Sequence, residues 1–280
     1  MSTIAALLQS AIAQGLPRKE AQYLMLHVCD RETHDRAWLL MHETDSLQEA
    51  QLDRWQIAVQ RRLGGEPVAY ILGFKEFYGL RLMVDRRVLD PRDDTETLVE
   101  WALELIPANA DWQVLDLGTG SGAIALAVKS QRPQLHMTAT DASAEALAVA
   151  RLNAEQLNLP VQFAPSDAAQ LDWFASLGGH RFDVILSNPP YIAQGDAHLA
   201  ALQHEPALAL TSGADGLDAI RRIVAHAPPH LKPGGWLLLE HGYDQARQVR
   251  DLLAAQGFTQ ATTRQDLSGM ERCTGALWPA

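Results

Sequence analysis

Four consecutive residues, Asn188-Pro189-Pro190-Tyr191, have the composition of a small site that grips a planar NH2 group. The two prolines fix two φ angles and carry no backbone N–H, so the carbonyls around them are acceptors without a competing donor. Asn188 adds a side-chain carbonyl, and Tyr191 adds an aromatic face. We call residues 188–191 the acceptor slot. Asparagine and proline also form ordinary rigid turns, so other parts of the chain must decide between a site and a turn.

A second candidate site is glycine-rich and follows the apolar run 113–117, which predicts a strand. It reads Gly118-Thr119-Gly120-Ser121-Gly122 and precedes a predicted helix. Glycines let the backbone come close to a ligand at such a strand end. The GxGxG spacing lacks the Lys-Ser/Thr pair of a P-loop. A nucleoside ligand smaller than a dinucleotide or ATP is therefore predicted.

The next predicted strand, 136–140, is followed by Asp141. An acidic side chain at this place accepts the two hydroxyls of a ribose, although Asp141 would also serve as a cap for the following helix. The acceptor slot likewise follows an apolar run, 182–186, that predicts a buried parallel strand. Open α/β sheets bind ligands beyond the carboxyl ends of their strands. The sequence therefore predicts that both candidate sites lie at one edge of a sheet.

Composition narrows the function classes. The 280 residues are 47% hydrophobic and carry a net charge of −11, which is not the basic footprint of a protein that binds a nucleic-acid backbone. The cysteines, Cys29 and Cys273, lie far apart and fit a reducing compartment. No Cys/His spacing is typical of zinc, so no metal is expected. Without a signal peptide or an apolar run of about 18 residues, we expect a cytoplasmic protein with no membrane association.

The periodicity of the chain predicts three segments. Residues 1–65 show helical spacing and predict a small bundle. Residues 66–90 change to a period of two and predict a β-hairpin linker. Residues 91–280 alternate strand and helix, which predicts an α/β domain with a mainly parallel sheet. Thr95 is placed to cap the helix that starts this domain.

Several motifs together resemble one family. The segment Asp116 to Gly122 with Asp141 resembles the S-adenosylmethionine (SAM) signature of class I methyltransferases, and the acceptor slot resembles the motif of enzymes that methylate amide or exocyclic amine nitrogens. Nearly the whole chain is similar to the peptide-chain release-factor glutamine methyltransferase family (PrmC/HemK). The further shared motifs are Gly65-Glu66-Pro67, Lys75-Glu76-Phe77-Tyr78, Pro91-Arg92 with Asp94-Thr95-Glu96, Glu205-Pro206, Leu231 to Gly235, Glu240-His241-Gly242 and Glu271-Arg272.

The resemblance implies a Rossmann-like sheet with an antiparallel last strand, and a helical domain that docks a protein substrate. It implies methyl transfer from SAM to the glutamine of the Gly-Gly-Gln loop of bacterial release factors. We expect a monomer, and the net charge of −11 predicts that it does not bind nucleic acid directly. The implied catalytic residues are Asn188, Pro189, Pro190 and Tyr191. The implied cofactor residues are Asp116, Gly118, Thr119, Gly120, Ser121, Gly122, Asp141, Asp167, Trp173 and Asn188.

Two registers compete for the family's Asp-Trp pair. Counting from the third strand gives Asp167 followed by Ala168, and counting back from the slot gives Asp172-Trp173; we favour Trp173 and keep Asp167 as a polar candidate. The sequence departs from the family pattern in the short loop before Glu205 and at three residues: Asp90 replaces an apolar residue, Asp93 replaces Pro, and Gln203 replaces Arg.

The slot alone fits adenine and cytosine amines as well as a glutamine amide. A nucleic-acid amine methyltransferase is therefore the second reading, although such an enzyme must extrude its base and usually carries a basic surface. A third reading, a SAM-binding scaffold without activity, is disfavoured because both the cofactor signature and the slot are intact.

Overall fold

The protein is described by a computed structural model that covers residues 2–167 and 172–280. The chain divides into two compact units. One consists of Met1–Phe74 with Ala201–His204, and the other of Lys75–Ala200 with Glu205–Ala280. Within the described residues, none of the helices combines the length and the apolar character that a membrane span needs.

The first unit is helical. Its helices are α1 (Ile4–Ala13), α2 (Arg18–Val28), α3 (Arg36–Met41), α4 (Glu49–Leu63) and α5 (Val68–Leu72). The hydroxyl of Thr3 accepts from the backbone N–H of Ala6 and so caps the first of them. Leu24 and Met25 of α2 are fully buried, and Trp55 of α4 is nearly so. These residues belong to one apolar cluster that is the core of the unit.

The predicted hairpin of residues 66–90 is shorter in the structure, and its first part is helical. Helix α5 occupies Val68–Leu72 because Pro67 precedes it and Gly73, at a φ of 81°, ends it in the left-handed region. The hairpin itself comprises β1 (Phe74–Phe77) and β2 (Leu80–Met83). Its turn uses Tyr78 and Gly79, both with positive φ, as two-residue hairpin turns require.

The second unit contains a seven-stranded sheet in the order β5-β4-β3-β6-β7-β9-β8. Its strands are β3 (Gln113–Leu117), β4 (His136–Asp141), β5 (Gln162–Pro165), β6 (Phe182–Ser187), β7 (Leu231–Glu240), β8 (Thr259–Gln265) and β9 (Glu271–Leu277). Strands β3 to β7 pair in parallel, and β9 runs antiparallel to both of its neighbours. The predicted α/β fold, with its mostly parallel sheet and antiparallel last strand, is confirmed.

Helices accompany this sheet. They are α6 (Glu96–Leu105), α7 (Ala123–Gln131), α8 (Ala144–Leu157), α9 (Asp218–His226) and α10 (Ala246–Gln256). Apolar residues of α6 and α7 join β3 in one core cluster, and those of α9 and α10 join β6 and β7 in a second. The sheet is thus buried by two separate apolar clusters.

Helix α6 packs on β9 at a glycine. A Cβ built on Gly275 would lie 2.4 Å from Cδ2 of Leu238 and 2.8 Å from the indole ring of Trp101. No larger residue fits there unless the helix or the strand moves. The bare Cα of Gly275 therefore sets how closely α6 approaches the sheet.

The carboxyl ends of the central strands meet at one edge. Leu117 of β3 pairs with Thr140 of β4 and with Ser187 of β6. The hydroxyl of Ser187 also donates to the Leu117 carbonyl across 2.8 Å. The glycine-rich loop, Asp141 and the acceptor slot therefore start from the same edge, as predicted.

Candidate functional site

A cavity of about 430 Å³ opens at this edge of the sheet. Its volume lies within the range of small-molecule sites. The predicted site residues that line it are Gly118, Gly120, Asp141, Asp167, Trp173, Asn188 and Pro190. The cavity therefore brings both sequence-predicted sites to one space.

Four residues of the glycine-rich signature lie behind that lining. Asp116 is fully buried, and its Oδ2 accepts from the Thr119 hydroxyl across 2.6 Å and from the N–H of Ala125 across 3.2 Å. Burial raises the pKa of Asp116 to about 7. The Ser121 carbonyl accepts from Asn153. The glycine-rich loop is thus stabilised by hydrogen bonds of Asp116, Thr119 and Ser121. Gly122 precedes α7 as its N-cap residue, with a φ of 87°.

Asp141 lines the cavity and also holds the glycine-rich loop. Its Oδ2 accepts from the N–H of Gly120, and its Oδ1 from the N–H of Ser143, each across 2.8 Å. Burial raises the pKa of this carboxyl, while these backbone bonds oppose the shift. Because each carboxylate oxygen has two lone pairs, Asp141 keeps acceptor capacity toward the cavity.

Both registers considered for the Asp-Trp pair place a residue at the cavity. Asp167 and Asp172 exchange two backbone hydrogen bonds of 2.9 Å. Asp167 and Trp173 therefore both reach the cavity, whereas Ala168 lies outside the described residues. The Trp173 ring lies on Gly118, where a built Cβ would be 2.9 Å from Cζ3, and its Nε1 is buried without a hydrogen-bond partner.

Within the slot, Asn188 is oriented by Thr95. Nδ2 of Asn188 donates to Oγ1 of Thr95 across 3.1 Å. Thr95 makes no capping bond to α6, so its predicted role as a cap is wrong; it has a partner in the slot instead. Because Nδ2 is engaged in this way, Oδ1 of Asn188 can accept a hydrogen bond from a bound substrate. Pro190 lines the cavity, and Pro189 is buried behind it.

Tyr191 contacts a buried carboxyl that was not among the predicted site residues. Its hydroxyl donates to Oε1 of Glu240 across 3.4 Å. Glu240 is fully buried at the end of β7, and its Oε2 has no partner. Burial raises the pKa of Glu240 to about 7, although nearby Thr95 and Arg272 oppose the shift. The position of Glu240 at a strand end was the sequence signal for it, since strand ends carry the site.

Of the residues that depart from the family pattern, Asp90 and Asp93 belong to the second unit. Arg92 forms an ion pair with Glu205, and the backbone N–H of Asp90 donates to Oε2 of Glu205 across 3.2 Å. Oδ1 of Asp90 is buried without a partner, and burial raises the pKa of this carboxyl. Asp93 is exposed and pairs with Lys75 across 2.9 Å. Gln203 belongs to the first unit, where its side chain lies near Gly65.

The structure offers no evident metal centre within residues 2–167 and 172–280. In these residues, no three His, Cys, Asp or Glu side chains are grouped as metal ligands would be.

Comparison with known proteins identifies the family. Residues 94–209 match the Methyltransferase small domain, and residues 2–73 match the PrmC N-terminal domain. A release factor glutamine methyltransferase of Bordetella pertussis is 49% identical over 264 residues, which is 93% of this chain and 95% of that protein. One of the same name from Xylella fastidiosa (strain Temecula1) is 46% identical over 275 residues, 97% of each chain.

Solved structures agree on the fold. A methyltransferase from Pyrococcus furiosus superposes with a TM-score of 0.53 at 19% identity, over 79% of this chain and 98% of that one. At that identity the likeness shows the fold alone. The sequence matches, which span almost the entire chain, confirm the resemblance, and the protein belongs to the release factor glutamine methyltransferase family.

Proposed function

We propose that this protein transfers the methyl group of SAM to the side-chain amide nitrogen of the glutamine in the Gly-Gly-Gln loop of bacterial release factors. The observation that carries the proposal is the orientation of Asn188. Its Nδ2 is engaged by Thr95, which leaves Oδ1 as an acceptor in the cavity. The family membership supplies the identity of the target.

The residues around the cavity fit SAM. The carboxylate of Asp141 suits ribose hydroxyls, and Gly118 and Gly120 leave the backbone open to close approach. The Trp173 ring borders the cavity beside Gly118, so it offers an aromatic surface to the cofactor. When bound, SAM supplies an activated methyl group on a positively charged sulfur.

The slot has to overcome the poor nucleophilicity of an amide nitrogen, whose lone pair is shared with the carbonyl. Oδ1 of Asn188 and the carbonyl of Pro189 would accept the two amide hydrogens. These bonds hold the nitrogen in line with the methyl group, and orientation of this kind contributes several kcal/mol. They also stabilise the positive charge that develops on nitrogen during attack. The methylated amide is then acidic enough to lose its proton to a nearby acceptor or to water.

Pro190 lines the cavity, and we place the Tyr191 ring next to it as the second wall of the slot. The Tyr191 hydroxyl is directed to Glu240, so its ring is held from the outer end. Burial and the neighbouring charge of Glu240 raise the pKa of Tyr191, so the phenol stays protonated at neutral pH. The aromatic wall is therefore neutral beside the positive charge that develops in the reaction.

The docking unit, the compartment and the oligomeric state of the enzyme are inferred as well. We infer that the helical first unit docks the release factor and that the enzyme acts as a cytoplasmic monomer without direct contact to nucleic acid. The net charge of −11 supports a protein substrate over a DNA or RNA strand. Transfer to an adenine or cytosine amine is the alternative that the slot chemistry also permits.

One labelling experiment tests the proposal. The protein is incubated with methyl-labelled SAM and one of three acceptors: a release factor, the same release factor with its Gly-Gly-Gln glutamine changed to alanine, or DNA. We expect label on the unchanged release factor alone. Label on DNA, or on the alanine variant to the same extent, would overturn the proposal.

A further inference from the structure

The side chain of Gln245, at the start of α10, joins three separate backbone segments. Its Oε1 accepts from the N–H of Gly242 across 2.8 Å. Its Nε2 donates to the carbonyl of Tyr191 across 3.0 Å and to the carbonyl of Asp215 across 3.3 Å. Only one orientation of the amide satisfies all three, since the reverse would set an oxygen against two carbonyls. Gln245 is buried, with 7% of its surface exposed.

Gly216 packs closely against the same Tyr191 carbonyl. Gly216 has a φ of 77°, and a Cβ built on it would lie 2.1 Å from the Tyr191 oxygen. The same Cβ would lie 2.7 Å from Nε2 of Gln245. The Tyr191 carbonyl is therefore held between the backbone of Gly216, which has no side chain, and the Nε2 donor of Gln245.

The acceptor slot needs anchors at its ends. Pro189 and Pro190 have no N–H groups, so they cannot be held by donor bonds of their own. Asn188 is fixed at the first end by Thr95. At the other end, Tyr191 is fixed by its hydroxyl to Glu240 and by its carbonyl to Gln245.

The segment that follows the slot is held by backbone bonds. The N–H of Ile192 donates to the carbonyl of Leu210, and the N–H of Ser212 donates to the carbonyl of Ile192, each across 2.9 Å. The N–H of Gln194 donates to the carbonyl of Gly213 across 2.8 Å. Gln245 binds the carbonyl just before this segment, so it is the side chain that joins the slot to the start of α10.

We propose that Gln245 is a positioning residue for methyl transfer: by fixing the Tyr191 carbonyl, it holds the acceptor slot in the geometry that the reaction needs. This inference rests on the proposed function for its kinetic consequence. Its structural part, the restraint on residues 191–194, stands independently of which substrate is methylated.

The test is the isosteric variant Gln245→Glu. A carboxylate there keeps one oxygen as the acceptor for the Gly242 N–H but sets its other, negative oxygen against the carbonyls of Tyr191 and Asp215. Displacement of the slot lowers kcat by about 10- to 100-fold at about pH 8. The dissociation constant for SAM stays within about threefold of wild type. Burial beside two carbonyls raises the pKa of this introduced carboxyl, so more of it is protonated at about pH 6 than at about pH 8. The protonated form regains one donor, so the deficit in kcat shrinks as pH falls.

Gln256→Glu is the matched control. It makes the same change of charge at the far end of α10, where the side chain is exposed, and it should behave as wild type. A second measurement follows amide hydrogen exchange at Ile192 and Gln194. Gln245→Glu speeds this exchange and Gln256→Glu does not.

The outcomes separate the two proposals. Unchanged kcat and unchanged exchange in Gln245→Glu would overturn the role of Gln245. A deficit that is equal at both pH values and is matched by lost SAM affinity would assign Gln245 to general stability instead. If wild-type protein places no label on the release-factor glutamine, the proposed function fails, whereas the exchange comparison still decides whether Gln245 restrains the slot.

Discussion

Asn188 and Thr95, 93 positions apart in the chain, share a hydrogen bond in which Nδ2 donates to Oγ1 across 3.1 Å. An asparagine amide presents either a donor or an acceptor to a site, depending on which way it is turned. In the structure the Thr95 hydroxyl accepts from Nδ2, which holds the amide in one of these two orientations before any substrate arrives. An enzyme that must accept hydrogens from an NH2 group gains preorganisation from this arrangement.

Thr95→Val should therefore lower kcat, because the isosteric valine leaves the Asn188 amide free to turn. We expect a loss of about 10-fold, with SAM affinity little changed because Thr95 does not line the cavity. Thr95→Ser keeps the hydroxyl and should retain most of the activity. Steady-state kinetics with both variants check this.

Asn188→Ala sets the scale for this comparison, since it removes the acceptor itself and should cost on the order of 100-fold in kcat. Valine at position 95 with full activity would mean that the hydroxyl does not orient the amide.

Glu240→Gln should change how stability depends on pH. Burial raises the pKa of Glu240 from an ordinary 4.5 to about 7, so the folded protein binds this proton more tightly than the unfolded chain does. The contribution of Glu240 to the free energy of unfolding therefore falls as pH rises through this window and levels off above it. The effect of this one group is on the order of 3 kcal/mol.

The glutamine variant cannot titrate at this position, and it keeps an acceptor for the Tyr191 hydroxyl. Relative to wild type, it should become more stable as pH is raised from about 5 to about 8. Urea denaturation of both proteins at each pH measures the difference, in which other titrating groups such as Asp116 cancel. Parallel pH profiles would show that Glu240 does not titrate in this range.

Gly118→Ala and Gly120→Ala should differ in cost. Both glycines have positive φ, at 73° and 55°, so both substitutions carry backbone strain. Only at Gly118 does the added Cβ meet another group, at 2.9 Å from Cζ3 of Trp173. We expect Gly118→Ala to lose about 1–3 kcal/mol more unfolding free energy than Gly120→Ala, measured without SAM. Equal losses would mean that Trp173 moves aside freely.

Asp90→Leu should stabilise the protein. The Asp90 carboxyl is buried with Oδ1 unpartnered, and its pKa is raised chiefly by burial. Since the folded state disfavours the charged form, the gain in unfolding free energy should be larger at about pH 8 than at about pH 4.

Asp93→Ala is the comparison for Asp90→Leu, because Asp93 is also an acidic departure from the family pattern but its side chain is 83% exposed. Loss of its surface pair with Lys75 should change the free energy of unfolding by no more than about 1 kcal/mol. Thermal denaturation of the two variants at each pH tests the contrast. A destabilised Asp90→Leu would indicate that the contact of Asp90 with Arg92 outweighs the burial of its charge.

Local patterns predicted much of this structure. The strand-helix alternation predicted the mostly parallel sheet, because period and punctuation are properties of neighbouring residues. The glycine-rich loop and Asp141 fell at strand ends as expected. Helix α5 was missed because five helical residues between Pro67 and Gly73 are too short to show a period.

The sequence could not predict which side chains come into contact only after the chain folds. Thr95 precedes a helix, so its local role is that of a cap, and nothing nearby reveals that Asn188 will approach it. The competing registers at Asp167 and Trp173 could not be decided by counting residues, and the backbone pairing of Asp167 with Asp172 brings both to the cavity.

Gly275 shows how far the demands of the site extend into the core. Its missing side chain lets Trp101 of α6 rest on β9, and Thr95 immediately precedes that helix. A methyl group added at Gly275 would lift the helix and carry the Thr95 hydroxyl away from Asn188. In a screen for activity, such a substitution would score as a catalytic defect, although the altered residue touches neither substrate nor cofactor.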